Sequence, residues 1–148
     1  MHRRQVIKKL DRILKLHYKH LYNRVYYKLG SDGQTAGIYN TLTRNICITF
    51  NKKTDERELI QTVFHELGHG FCIKYNKWPS YHTLAICDKN EAKRYVNTSL
   101  KAERWVDRWA EKEMKKHFPQ LKYKALYFTP HGVEFNKKHV SYIKNLFL

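Results

Sequence analysis

One helix in this chain must satisfy two opposite demands. Thr54 or Asp55 can cap it, and Asp55, Glu56 and Glu58 put negative charge at its positive end. It runs to about Tyr75 before Trp78-Pro79-Ser80 breaks the chain. On a wheel of about 100° per residue, with His65 at zero, Ile60, Val63, Phe64, Leu67 and Phe71 fall at about 160–260°. His65, Glu66 and His69 span the opposite arc, at about 0–100°. One face therefore buries in a core while the other lines a cleft. Gly68 and Gly70 are poor helix formers, so close approach of a neighbouring segment explains them better than helix stability does.

The rest of the pattern is α+β. Residues 3–21 carry Val6, Ile7, Leu10, Ile13, Leu14, Leu16 and Leu21 at helical spacing. Residues 24–29, 36–40 and 45–50 are rich in strand formers, with a turn at Gly30-Ser-Asp-Gly33. These predict a short antiparallel sheet of about three strands. Residues 91–117 are mostly helical, in two pieces around Asn97-Thr98-Ser99, and Asn136 can cap a last helix through Val140, Ile143, Leu146 and Phe147. At 148 residues and 42% apolar composition, one domain spanning 1–148 is expected.

His65-Glu-Leu-Gly-His69 is H-E-x-x-H. One helical turn separates the two histidines, so both imidazoles can reach one zinc ion at about 2.0–2.1 Å. Glu66 stands beside them as a base for a metal-bound water. A catalytic zinc needs a third protein ligand and an open position. Glu103 leads: Leu100, Glu103, Asp107, Ala110 and Met114 form one helical stripe, and Ala102, Trp105, Val106 and Trp109 form a separate apolar face. Asp107 is placed to hydrogen-bond a metal-bound histidine and fix its tautomer. His82, His117, His131 and His139 are weaker alternatives as third ligand. Cys72 and Cys87 read as buried thiols. Tyr81, His82, Tyr123 and His131 are candidate donors to an oxyanion.

The charge adds a second theme. Lys and Arg number 29 against 13 Asp and Glu, a net +16, which excludes an acidic, calcium-buffering type of protein and favours a polyanionic partner. Residues 1–29 hold nine Lys/Arg and one Asp, interleaved with Tyr18, Tyr22, Tyr26 and Tyr27. This predicts weak, sequence-independent binding to nucleic acid through the first helix, with Arg3, Arg4, Lys8 and Lys9 as contacts. Three cysteines without paired spacing, no visible signal peptide and no long apolar run predict a cytoplasmic protein with no membrane partner.

Over residues 36–116 the chain resembles the ImmA/IrrE-like family of zinc metallopeptidases, gluzincin-type zincins. A strand, Asn45-Ile-Cys-Ile-Thr-Phe50, precedes Thr62-Val-Phe-His-Glu-Leu-Gly-His69. Glu103-Arg-Trp-Val-Asp-Arg-Trp-Ala110 then looks like the family's glutamate helix. The resemblance implies a zincin-like domain, one zinc held by His65, His69 and Glu103, and Glu66 as base. It also implies a cytoplasmic peptidase of a phage or mobile element, acting on a transcriptional repressor or other DNA-associated regulator. Val106 departs from the family's small residue at that position. Two alternatives are a non-catalytic zinc-containing regulator or phage-encoded inhibitor, and a SprT-like DNA-associated protease, which uses a third histidine.

Overall fold

The computed structural model describes residues 2–30, 35–75, 77 and 89–124, with 89–100 described by backbone alone. Helix α1 (Arg3–His17) is followed by strands β1 (Val25–Leu29), β2 (Ala36–Tyr39) and β3 (Ile46–Phe50), then helices α2 (Glu56–Lys74) and α3 (Lys89–His117). The expected α+β class and the order of elements hold. Tyr81, His82, Cys87, His131, His139 and the helix expected after Asn136 lie outside the described residues.

The sheet is mixed, not antiparallel throughout. Its order is β1-β3-β2; β2 pairs antiparallel with β3, whereas β1 pairs with β3 in parallel. The physical reason is burial. Ile46 and Ile48 are fully buried, so β3 is the strand that most needs both edges paired. Its hairpin with β2 takes one edge. Asn40 closes that hairpin by accepting the Leu42 and Thr43 N–H groups, both at 3.0 Å, and Arg44 turns the chain at φ 61°. β1 fills the remaining edge, with Val25 opposite Ile46 and Leu29 opposite Phe50.

Two helix boundaries also differ from expectation. α1 ends at His17, four residues early, and the chain turns through Tyr18–Leu21. The carbonyl of His20 accepts from Arg44 at 2.6 Å and that of Leu21 accepts from the Tyr39 hydroxyl at 2.9 Å. Partners from the sheet hairpin thus hold the carbonyls of the turn that follows the helix. α3 is one continuous helix through Asn97-Thr98-Ser99 rather than two pieces.

The core gathers Val6, Leu10 and Leu14 of α1, Ile46 and Ile48 of β3, and Leu59, Ile60, Val63, Phe64 and Leu67 of α2. α2 packs against β2, β3, α1 and α3. Asp55 caps it, accepting the Glu58 N–H at 2.7 Å. It is therefore the central helix, covered on nearly every side. Among the described residues no helix is long and apolar enough to cross a membrane.

Candidate metal centre

Close contact between α2 and α3 makes the site. A Cβ added at Gly68 would stand 2.8 Å from Val106 Cγ1 and 3.1 Å from Trp109 Cε3. The missing side chain on one helix thus receives the larger one on the other, which is the close approach expected at this glycine. Gly70 is similarly tight, its added Cβ falling on the Leu21 carbonyl oxygen and the Tyr39 ring.

That spacing brings the carboxylates of α3 onto the histidines of α2. Glu103 Oε2 lies 2.9 Å from His65 Nε2 and 3.3 Å from His69 Nε2. Two atoms bound to one tetrahedral ion at about 2.0–2.1 Å lie about 3.3–3.4 Å apart. The His69 separation matches that edge, and the His65 separation is shorter, a direct hydrogen bond. His65, Glu66 and His69 also bring ligand atoms within 4.8 Å of one another, so this group could hold a metal ion. His65 and Glu66 are buried, while the side chains of His69 and Glu103 keep 13% and 20% exposure. The opening to solvent is on their side.

Asp107 sits behind His65. Its Oδ1 accepts from His65 Nδ1 at 2.8 Å and from the Tyr123 hydroxyl at 2.6 Å. An Nδ1–H held this way leaves the Nε2 lone pair for a metal, the arrangement that fixes the tautomer of a metal-binding histidine. Gln61 holds Tyr123 in place by gripping the backbone of its neighbour. It accepts from the Lys124 N–H at 2.9 Å and donates to the Lys124 carbonyl. Tyr123 is therefore not a free oxyanion donor: its hydroxyl is committed to the buried Asp107. The outer member of a bonded chain is where we expect a measurable but partial effect. Tyr123→Phe should weaken metal binding by about tenfold, read by competition with a chelating dye, and should leave the ligand set unchanged.

Electrostatics follow from this crowding. Burial alone would lower the His65 pKa, but hydrogen bonds to Asp107 and Glu103 and the nearby carboxylates hold it well above 6.5. Burial raises Glu66 above 4.5, against the opposing pull of the two histidines. Burial would raise Glu103 too, yet His69 and His65 hold its carboxyl well below the usual range. In metal-free protein the His65 proton stabilises the fold fully below about 6.5. That contribution is lost as pH climbs through the raised folded value, and Glu66 acts in the same direction. Melting temperatures of chelator-treated protein should accordingly fall from pH 6 to pH 9. Bound metal should flatten the trend, because it displaces the Nε2 proton.

Two features of the site lie outside the H-E-x-x-H and glutamate motifs. A Cβ added at Gly37 would fall 2.5 Å from Glu66 Cγ, and the Tyr39 backbone N–H donates to the Glu66 carboxylate. Strand β2 therefore cradles Glu66. The signal was present: a glycine inside a four-residue strand marks a close approach.

The remaining candidates separate. His117 is one and a half dozen ångströms or more along α3 from Glu103, roughly 21 Å by helical rise, and bonds Tyr18 instead. Burial, reinforced by the Glu103 charge, pushes the Cys72 thiol up to about 12, which keeps it protonated. Nη2 of the Arg3 guanidinium donates to the carbonyls of Asn51, Lys52 and Thr54. The Lys9 ammonium lies 4.7 Å over the Phe118 ring. Arg4 and Lys8 are exposed. No family model matches the chain, and no curated protein or solved structure matches it.

Proposed function

We propose that the chain is a zinc-dependent metallopeptidase. The observation that carries this reading is the Glu103 carboxylate, which meets Nε2 of both His65 and His69. Two imidazoles and one carboxylate suit zinc and leave a fourth position for water. The same contact favours the glutamate set over a SprT-like set with a third histidine. The intact Glu66 favours catalysis over a purely structural metal.

A bound zinc supplies an acidified water, its pKa lowered to about 7, and a positive charge for the carbonyl oxygen. Glu66 does the proton work. Its carboxylate takes a proton from the attacking water and returns it to the leaving amine. The raised pKa of Glu66 brings it nearer the pH at which one group performs both transfers. The Tyr39 N–H and the space at Gly37 hold that carboxylate in position. Asp107 keeps His65 in the tautomer that offers Nε2. An extended substrate can add to the outer edge of β2, which no strand among the described residues pairs. The substrate class implied by the resemblance, a repressor or other DNA-associated regulator, is the first to assay.

The test is hydrolysis of an unstructured protein and of candidate repressors by the zinc-loaded chain. Cleavage should stop on chelation and return with zinc. Cleavage that survives complete metal removal overturns the reading. Gly37→Ala gives a sharper check, because its Cβ displaces Glu66 without touching a ligand. It should keep zinc and lose activity by up to about 100-fold, the cost of a misplacement near 1 Å.

A further inference from the structure

We propose that the outer face of α3 is a docking surface for the phosphate backbone of duplex nucleic acid. Lys101, Arg104, Arg108, Lys112 and Lys115 recur at spacings of three and four, and all five are exposed. On a helical wheel they fall within an arc of about 80°, centred roughly 180° from the buried Ala102, Val106, Ala110 and Met114. The stripe is therefore the solvent ridge of a helix whose opposite side is anchored in the protein. It extends for about 21 Å, or one cation per 5 Å or so of helix. One strand of duplex DNA offers a phosphate about every 3.4 Å of its axis, so charges of similar density can face each other over several contacts.

The ridge is partly concave. Arg108, Lys112, Lys115 and Lys116 line a groove of about 520 Å³ together with one carboxylate, Glu111. Glu111 pairs with Lys115 at 3.1 Å, and with four cations to one carboxylate the groove is net positive. On helix α1, Arg3 donates through one guanidinium nitrogen to three backbone carbonyls, and the Lys9 ammonium lies over the Phe118 ring.

The face also discriminates between polyanions. It holds no aromatic side chain: Trp105 and Trp109 turn towards Phe71, with ring centroids 5.9 and 5.2 Å away. Single strands are bound without sequence preference by stacking bases on aromatic rings, which this face does not offer. It holds no apolar residue to enter a bilayer either. The surface points away from Glu103 and Asp107, so docking does not obstruct the metal centre.

Anisotropy titrations with a labelled 20-bp duplex of mixed sequence test this at about 50 and 200 mM salt. Wild type should bind at the lower salt with a log–log slope of about −3 to −4, as expected for four phosphates at about −0.9 each. Arg108→Glu with Lys112→Glu and Lys115→Glu should lower affinity at least tenfold and bring the slope towards about −1. The matched set Arg4→Glu, Lys8→Glu and Arg12→Glu, with the same change in charge, should lose less than threefold. Both sets should retain wild-type zinc content and far-UV circular dichroism. If the α3 glutamate set unfolds, the glutamine set at the same three positions replaces it and should still flatten the slope. Equal losses in the α1 and α3 sets overturn the assignment. So do absence of duplex binding at low salt and tighter binding of a single strand, an acidic polypeptide or anionic vesicles.

Discussion

Replacing Glu66 by Gln is expected to leave the fold and the metal in place and to lower peptide hydrolysis by at least about 100-fold, as loss of a general base does. The amide matches the carboxylate in shape, so it fits the space opposite Gly37 and can still meet the Tyr39 backbone. What it lacks is an oxygen that can accept and return a proton. Loss of activity with full zinc content places Glu66 in proton transfer. Loss of both would make it a ligand or a structural group. Hydrolysis at the wild-type rate would remove it from the mechanism.

The second large effect concerns the ligands themselves. His65→Ala and Glu103→Ala should each reduce zinc affinity by more than about 100-fold, exceeding what loss of an outer partner costs. His65→Ala also removes a hydrogen-bond partner of Asp107, which is 1% exposed. That variant should therefore lose stability as well. Glu103→Ala removes a carboxylate near the opening and should be milder on the fold, so it separates metal loss from unfolding. Elemental analysis of both, with thermal melts, reads the difference. Full occupancy in either variant excludes that residue as a ligand.

Much of this site was legible from spacing alone, because helices convert sequence intervals into faces. The interval from His65 to His69 fixes one turn of α2, and that from Glu103 to Asp107 fixes one turn of α3. Gly68 announced that something comes close, although the sequence could not say that it is Val106 and Trp109. The contacts of Glu66 with β2 were hidden, since strand pairing is set by long-range packing and not by local pattern. The same cause concealed the parallel pairing of β1 with β3. Tyr123, a candidate oxyanion donor in the sequence, instead supports Asp107. Its hydroxyl reaches Asp107 because Gln61 grips the backbone at Lys124, a contact 63 residues apart in sequence. Net charge was visible in the composition. Its placement was not, because Arg3 and Lys9 find partners only in the folded chain.

Zinc-edge X-ray absorption of the zinc-loaded wild-type protein tests the central claim most directly. The account predicts one zinc per chain, with two imidazole nitrogens at about 2.0–2.1 Å and a shell completed by carboxylate and water oxygens at about 2.0–2.2 Å. No retained zinc would contradict it. So would a sulfur at about 2.3 Å, which would bring in a cysteine, or a third imidazole in place of the carboxylate.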